Sequence, residues 1–218
     1  MNKLNYISNL DILAGIPSEE IMQLCTQVRD ETFDARYVLY TPTDQLKHIY
    51  LVKKGEVLLY HMHNGRKSIF DTILPGDVFG NFSTTEYEAG HFAEATGGTR
   101  VCTIPVSDYL KLMGAYPEVM LRTIQTLSDR LHDYESKISM CPVPAKDKVL
   151  QELGRYSKKR RQSLLQKLTQ SEVKLTHQKI ADLTGLNRVT VTRALQELSA
   201  DGFVTYNEET GGIVIEDM

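Results

Sequence analysis

The segment from His177 to Leu198 constrains the fold more than any other stretch, because it carries two short apolar faces separated by a glycine. The first face consists of Ile180, Ala181 and Leu183, and Gly185, which can adopt a positive φ, follows it. The second face consists of Leu186, Val191, Ala194, Leu195 and Leu198. The pattern predicts two helices joined by a tight turn, the arrangement that places a second helix in the major groove of DNA. The alternative is an ordinary pair of surface helices.

The sequence around and after the second helix favours the DNA-binding interpretation. Asn187 is placed to cap this helix, which leaves three side chains on its outer face. They are Arg188, Val189 and Arg193. After a turn at Asp201–Gly202, the runs 203–206 and 213–215 predict a β-hairpin. A helix-turn-helix followed by a hairpin is typical of a winged helix, whose wing lies near the phosphate backbone.

The charge of the chain is divided unevenly. The formal net charge is −3, yet residues 145–218 hold 12 basic against 10 acidic residues, a net +2. The remaining 13 basic and 18 acidic residues give the first 144 residues a net −5. This asymmetry points to DNA contact by the second part only. Its densest basic run, Lys158–Arg161, is either a solvated helix end or a non-specific phosphate contact.

The region from Thr32 to Pro105 alternates short β-branched and aromatic runs with turn signals. Hairpin turns are expected at Lys53–Gly55 and His63–Arg66. The predicted strands are 37–40, 48–52, 56–60, 67–70 and 100–104. Many short strands at a spacing of about 8 to 12 residues predict a small antiparallel barrel or jelly roll. Residues 5–29 look helical, with a helix start at Pro17–Glu20.

A long helix is predicted from about Pro117 to Met140, with a proline at its start and apolar residues at three- and four-residue spacing. Such a stripe suits a coiled-coil seam between two copies, although packing onto its own roll is the alternative and one helix can do both. Prolines in Cys141–Pro144 break the helix and mark a hinge. The expected fold is α+β, with a β-roll domain at 1–116, a dimerisation helix at 117–141 and a winged helix at 145–218.

Composition sets the outer bounds on function. The chain is 41% apolar and 24% charged, which is ordinary for a globular protein, and it has no apolar run of about 18 residues. Its first residues lack the basic-then-apolar layout of a signal peptide, so a cytoplasmic location without membrane contact is expected. Cys25, Cys102 and Cys141 are far apart, which argues against disulfides and Cys-x-x-Cys metal sites. We predict no catalytic residues and no metal ligands.

The predicted helical segment, roll, long helix, hinge and winged helix, in that order, resemble the CRP/FNR family of bacterial transcription regulators. The resemblance covers essentially the whole chain and is most specific at Gly55–Val57, Leu74–Gly80 and Leu175–Arg193. It implies a roll that binds an effector, a homodimer formed by the long helix, and reorientation across the hinge. The expected partners are a second copy of the chain and double-stranded DNA carrying an inverted-repeat operator, with RNA polymerase left open.

The resemblance also implies roles for residues of the winged helix. Arg188 and Arg193 would read base edges, with guanine O6 and N7 as the favoured partners. Val189 stands where many relatives carry a glutamate that accepts from cytosine N4. The positions that touch phosphates in the family are matched by Thr176, Gln178, Asn187 and Thr190.

The effector pocket departs from the cyclic-AMP-binding members of the family. Those carry Gly-Glu at the start of a phosphate cassette and an Arg-Ser pair eleven and twelve residues after the glycine, because a cyclic phosphate needs a cation and hydroxyl donors. Counted from Gly80, both the cation and the hydroxyl are missing here. Arg100 is a cation nine residues further on, on an edge-like strand. The candidate pocket residues are Gly80, Asn81, Phe82, His91, Phe92 and Tyr134.

These departures disfavour cyclic AMP and leave the effector unknown. The Thr-Ser pair that receives the adenine in the family is replaced by Tyr134 and Glu135. An iron–sulfur cluster is also disfavoured, since residues 1–24 have no cysteine cluster. A small aromatic or acidic effector near Phe82, Tyr87, His91 and Tyr134 stays open, and so does the absence of any effector. Haem stays open as well, with four candidate axial ligands. They are His61, His63, His91 and His132.

A cupin-like metal-binding protein is the alternative from a different class. Gly55 followed by His61 and His63 matches the start of the cupin motif, and two histidines at i and i+2 share one face of a strand. Lys67 and Ser68 stand where the carboxylate ligand is expected, and Asn64–Gly65 makes the pair a hairpin end. The sequence therefore favours the regulator over the metalloprotein.

Overall fold

The computed structural model describes residues 11–13, 16–17, 29–139, 143–162, 172–207 and 211–215. The chain forms two compact units, one of residues 1–59 and 72–133 and the other of residues 60–71 and 134–218. Within the described ranges, no helix is both long enough and apolar enough to cross a membrane.

Eight strands form two four-stranded sheets, which confirms the predicted antiparallel roll. The strands are β1 (Arg29–Phe33), β2 (Tyr37–Tyr40), β3 (His48–Lys54), β4 (Val57–His63), β5 (Arg66–Ile73), β6 (Val78–Gly80), β7 (Phe92–Ala95) and β8 (Thr99–Pro105). Their order is β1-β8-β3-β6 in one sheet and β2-β7-β4-β5 in the other. Buried β-branched and apolar residues on the central strands explain why this region folds as sheet.

Three expectations for this region need correction. The strand that carries Arg100, β8, is central rather than edge-like, because it pairs with both β1 and β3. Lys53 and Lys54 belong to β3, so the predicted turn is confined to Gly55, whose φ is 78°. Most of the helix expected at 5–29 lies outside the described residues, but Arg29 begins a strand, so its predicted end is wrong.

Five α-helices are described, and a short 3-10 helix spans Asp11–Leu13. They are α1 (Val106–Ala115), α2 (Pro117–Ser139), α3 (Ala145–Gln162), α4 (His177–Thr184) and α5 (Arg188–Ala200). The long helix predicted from Pro117 is confirmed as α2, while Met140, Cys141 and Pro142 fall outside the described residues. Since Val143 and Pro144 are not helical and α3 begins at Ala145, the helical path is interrupted near the predicted break.

The core cluster of the roll joins the sheet β1-β8-β3-β6 to α1 and to the first turn of α2. The cluster is buried and apolar, and it includes Ile49, Leu51, Val78, Cys102, Ile104, Tyr109, Leu112 and Val119. The Tyr109 hydroxyl lies 2.7 Å from the hydroxyl of Thr123, which itself donates to the Val119 carbonyl oxygen. This pairing satisfies two buried polar groups and ties α1 to one face of α2.

A buried ion cluster joins β1, β3 and β8. The Asp30 carboxylate accepts from Lys53 Nζ at 3.0 Å and, in a bidentate arrangement, from Arg100 Nε at 3.0 Å and NH2 at 2.6 Å. The side chain of Lys53 is only 3% exposed. Burial raises the pKa of Asp30, but the hydrogen bonds from Arg100 and Lys53 outweigh it and hold that pKa below its usual value.

Asp30→Asn removes the carboxylate that accepts from both Lys53 and Arg100, and so takes an anionic partner away from the buried Lys53 ammonium. We expect a loss of about 3 kcal/mol in the free energy of unfolding at neutral pH, because breaking a buried pair strands a charge. The pKa of Asp30 is lower in the folded state, so its contribution is full above about pH 4 and is lost as the pH falls through the folded-state pKa. Urea unfolding at several pH values should therefore show less acid sensitivity in the variant.

The control is Asp108→Asn, which removes the partner of the exposed Lys111 in an i,i+3 pair on α1. It should change stability by about 1 kcal/mol or less. Equal losses in the two variants would contradict the role of the Asp30 cluster.

The second unit contains α3, α4 and α5 and a three-stranded sheet of order β10-β11-β9. Its strands are β9 (Glu172–Val173), β10 (Val204–Tyr206) and β11 (Ile213–Ile215). β10 and β11 pair antiparallel with Val204 opposite Ile215, which confirms the predicted hairpin. Residues 208–210 of its turn lie outside the described residues, as do the side chains of the basic run Lys158–Arg161.

Candidate nucleic-acid interface

The helix-turn-helix is built from local signals at three helix ends. Thr176 caps α4, since its hydroxyl oxygen accepts from the backbone N–H of Lys179 at 3.1 Å. Gly185 ends α4 in the left-handed region at φ 71°, as the sequence predicts. Asn187 then caps α5, because its Oδ1 accepts from the backbone N–H of Thr190 at 2.8 Å.

The two helices pack through the apolar residues predicted to join them. Ile180, Ala181 and Leu183 of α4 are buried, as are four residues of α5. These four are Val191, Ala194, Leu195 and Leu198. A hydrogen bond of 2.9 Å between His177 Nδ1 and Thr192 Oγ1 adds a second link between the helices. The link has no local sequence signal, because its two residues are fifteen positions apart.

The outer face of α5 is exposed as predicted. Arg188, Val189 and Arg193 are all solvent-accessible, and Val189 is 62% exposed despite its aliphatic side chain. An exposed valine beside two exposed arginines at the start of a capped helix is a surface that suits a partner with both phosphates and methyl groups.

The residues matched to phosphate contacts lie around the same helix ends. Thr176, Gln178 and Asn187 are exposed, and Thr190 is half-buried. Gln178 Nε2 donates to Asp182 Oδ1 at 2.8 Å, and Asn187 uses its oxygen for the cap. Their remaining donors, together with the N-terminal amides of α4 and α5, form a set suited to phosphate oxygens.

In the roll, the Asn81 side chain forms hydrogen bonds to the backbone of the surrounding loops. It is 2% exposed, and its Nδ2 donates to the carbonyl oxygens of Leu46 at 2.9 Å and Thr85 at 3.0 Å. Its Oδ1 accepts from the backbone N–H of Ser83 at 2.8 Å. Gly80 beside it has φ 110°, and a Cβ there would lie 2.4 Å from the carbonyl oxygen of His48. Both residues therefore shape the loop after β6 by contacts within the chain.

His91 lies in an aromatic group. Its Nε2 is 2.9 Å from the hydroxyl of the buried Tyr40, and its ring meets the Tyr40 ring edge-on. The Tyr40 ring lies near Phe79 and Tyr50, and these two stack with centroids 5.0 Å apart. Burial raises the pKa of Tyr50, as do the charges of nearby carboxylates. Burial also lowers the pKa of His48, whose ring centroid lies 6.4 Å from that of Tyr50, and the charge of Arg29 acts in the same direction.

The other candidate pocket residues are directed to different partners. Phe82 meets the ring of Tyr109 edge-on at 6.0 Å and so packs against the core cluster. Phe92 is half-buried at the start of β7. Tyr134 belongs to the second unit, where its hydroxyl donates to Asp71 Oδ2 at 2.9 Å. Arg100 is held by Asp30, as described above.

The remaining histidines considered for haem or metal binding are exposed. His61, His63 and His132 all lie at the surface, and the His61 ring stacks on Phe70 with centroids 5.0 Å apart. Among the described residues, the structure contains no cluster of three or more His, Cys, Asp or Glu side chains placed to hold a metal ion. The cupin-like alternative is therefore not supported.

Comparison with known proteins agrees with both parts of the chain. Residues 30–116 match the cyclic nucleotide-binding domain family, and residues 148–218 match the Crp-like helix-turn-helix domain family. A cyclic AMP receptor protein of Thermus thermophilus is 25% identical over 193 residues, covering 87% of this chain and 86% of the relative. A global nitrogen regulator of Synechocystis sp. is 26% identical over 203 residues, covering 82% of this chain and 81% of the relative.

Solved structures show the same architecture. FixK2 from Bradyrhizobium japonicum superposes with a TM-score of 0.72 at 23% identity, covering 87% of this chain and 93% of that chain. A regulator from Xanthomonas campestris, CLP, has a TM-score of 0.71 at 18% identity and covers 93% of this chain and all of the other.

A sensor roll of the cyclic nucleotide-binding type, combined with a winged helix of the Crp type, defines a DNA-binding transcription regulator. The chain belongs to the CRP/FNR family.

Proposed function

We propose that this regulator is a homodimer that binds an inverted-repeat operator, with α2 as the dimer seam. One face of α2 packs into its own roll through Val119 and Thr123, which are buried. Another face exposes large apolar side chains at the three- and four-residue spacing of a coiled-coil seam. These are Met120, Ile124, Leu127, Leu131 and Ile138. This spacing favours a second copy of the chain as the partner that covers the stripe.

Charging the stripe with the double substitution Leu127→Glu and Leu131→Glu should convert the dimer to monomers. Four like charges would then face one another in an apolar seam, where they have no partners. Operator binding should fall with it, because two recognition helices about 34 Å apart are needed to reach adjacent major grooves. Light scattering at micromolar concentration measures the mass, and Gln125→Glu, placed away from the stripe, is the charge control. A double variant that stays dimeric would contradict the proposal that α2 forms the dimer interface.

We propose further that α5 is the recognition helix. The observation that carries this is the exposed group of Arg188, Val189 and Arg193 at the start of a capped helix. In this proposal the two arginines read base edges, and Val189 packs on a thymine methyl group where many relatives place a glutamate. The phosphate contacts come from Thr176, Gln178, Asn187 and Thr190.

The substitutions Arg193→Ala and Gln178→Ala should separate base reading from phosphate contact. Arg193→Ala should weaken operator binding by about 1 to 3 kcal/mol and relax specificity at one base pair. Gln178→Ala should weaken all sequences alike, since phosphates carry no sequence information. Val189→Glu should move the preference toward a C·G pair. Selection of binding sites from random DNA measures all three, with Arg36→Ala on the exposed surface of the roll as the control. Identical base preferences for the wild type and Val189→Glu would contradict the proposed contact of Val189 with a base in the major groove.

We propose that the roll responds to an effector other than cyclic AMP, or to none. The family includes cyclic-nucleotide sensors and sensors of other effectors, but the support here comes from the chain's own residues. Arg100 is held by Asp30, and the position of the phosphate-binding cation carries His91, which contacts Tyr40. Both candidate cations are thus engaged by other groups of the roll rather than directed at a cyclic phosphate. An iron–sulfur cluster is disfavoured because residues 1–24 have no cysteine cluster. Haem remains an alternative effector, with His61, His63, His91 and His132 as the candidate axial ligands.

Millimolar cyclic AMP should therefore change neither the melting temperature nor the DNA affinity. A ligand at about 100 times its Kd stabilises the state that it binds by about 2.7 kcal/mol, which calorimetry detects readily. A clear shift would mean that Arg100 leaves Asp30 or that the cassette is misplaced. Asp30→Asn, which removes the carboxylate that accepts from Arg100, is the matched comparison for that outcome.

The division of labour follows from these proposals. Residues 1–116 form the sensor domain, 117–141 the dimerisation helix and 145–218 the DNA-binding domain. The chain acts as a cytoplasmic regulator rather than as an enzyme. RNA polymerase would be a further partner. None of the residues named above is assigned to a contact with it.

A further inference from the structure

The hydrogen bond between His177 and Thr192 fixes where the His177 ring carries its proton. His177 Nδ1 lies 2.9 Å from Thr192 Oγ1, and the same oxygen lies 2.9 Å from the carbonyl oxygen of Arg188. A hydroxyl has one hydrogen to donate, and a carbonyl oxygen can only accept. Both contacts are therefore satisfied when the Thr192 hydroxyl donates to Arg188 and accepts from a hydrogen on His177 Nδ1.

The opposite assignment is disfavoured by the short distance between the two oxygens. If the Thr192 hydroxyl turned its hydrogen toward His177, the hydroxyl and carbonyl oxygens would lie 2.9 Å apart with no hydrogen between them. A threonine inside a helix also commonly donates to the carbonyl one turn back. Since the ring proton is on Nδ1, His177 Nε2 is an acceptor as long as the ring is neutral.

The His177 ring lies at the end of α4 where phosphate contacts are proposed. The residue is half-buried and stands between Thr176 and Gln178, which are exposed and belong to the proposed phosphate set. It is also the first residue of α4, so the N-terminal amides of that helix lie beside it. A phosphate oxygen only accepts hydrogen bonds. The imidazolium form, with a hydrogen on each nitrogen, is thus the form that can donate to both Thr192 and a phosphate.

The charged groups of the surrounding helices bear on the protonation of this ring. α4 packs against α3 and α5. The charged residues of α3 with described side chains are Lys146, Asp147, Lys148, Glu152 and Arg155. Those of α4 and α5 are Lys179, Asp182, Arg188, Arg193 and Glu197. Within the described part of the chain, no carboxylate forms an ion pair with the His177 ring, so a DNA phosphate can serve as its anionic partner.

We propose that His177 is a further DNA-contact residue, whose Nε2 donates to a phosphate only when the ring is protonated, so that operator binding takes up protons. Thr192 is its positioning residue, because the hydroxyl fixes the other ring proton on Nδ1. The complex holds the added proton more firmly than the free protein does. Operator affinity is therefore highest at low pH and falls as the pH rises through the range of about 5 to 8 in which imidazole loses its charge. The proposal rests on the proposed DNA-binding function.

The first test measures the pH dependence of operator affinity in the full-length protein, with the operator that the wild type selects from random DNA. Wild-type affinity should fall by about tenfold from about pH 6 to about pH 8 at constant ionic strength. His177→Gln should bind weakly and His177→Arg tightly at both ends of this range, because neither side chain titrates there. His48→Gln, which removes an imidazole from the roll, is the matched control and should keep the wild-type pH dependence.

The second test measures salt dependence, which a merely structural role for His177 would not link to pH. Each phosphate neutralised by a cation adds about 0.9 to the slope of log K against log salt concentration. The wild-type slope should therefore be steeper at the lower pH by about one unit for each His177. In His177→Gln the slopes at the two pH values should coincide.

Thr192→Val tests the role of the hydroxyl. The substitution keeps the β-branched shape but removes the acceptor, so a neutral His177 can carry its proton on Nε2 and donate it to a phosphate. The ratio of the affinities at low and high pH should then shrink toward one. Thr192→Ser keeps the hydroxyl and should keep the wild-type ratio. An unchanged ratio in Thr192→Val would contradict the positioning role of Thr192.

The outcomes distinguish the protonation of His177 from the function on which it rests. If the wild type selects no DNA sequence, the proposed function fails. If it selects an operator but binds it with the same affinity at every pH, or if the pH dependence persists in His177→Gln, only the role of His177 is overturned. If His177→Gln does not fold, calorimetry of the wild type in buffers of different ionisation enthalpy still counts the protons taken up, and comparison of Thr192→Val with Thr192→Ser assigns them.

Discussion

The apolar contact between α4 and α5 is the constraint on which the presentation of the winged helix depends. The two helices are in contact, and Ala181 of α4 and Leu195 and Leu198 of α5 are buried. With that face of α5 buried, the charged face has to point outward. The arginines are thus exposed because of what lies on the opposite side of their helix, rather than because of any contact of their own.

The helix-turn-helix could be predicted almost to the residue because its signals are local. The glycine after α4, the asparagine before α5 and the 3.6-residue periodicity all act within a few positions. By contrast, β6 has only three residues, and α1 follows Pro105 with no side-chain cap, so neither produces a strong local pattern. The prediction that Arg100 lies on an edge strand was wrong, because β8 pairs on both sides with strands that are distant in the sequence, β1 and β3.

The candidate effector pocket was harder to predict than the exposed face of α5, because its contacts also join residues that are far apart in the sequence. Sequence comparison identifies Asn81 and His91 as positions of interest, but it does not reveal their partners. Tyr40 and His91 are 51 residues apart, and Asp30 and Arg100 are 70 apart. Pairings of this kind arise only when the roll closes. The hydrogen bond between Tyr134 and Asp71 likewise had no sequence signal, since the two residues are 63 positions apart.

The burial of Lys53 has a consequence for the chemistry of the roll. An ammonium that is 3% exposed and held by a carboxylate is shielded from acylating reagents, which need an unprotonated, accessible amine. Modification of this lysine therefore requires the sheet around β3 to open. Its rate of labelling under native conditions, relative to that of the exposed Lys111, would report how often the sheet opens around β3.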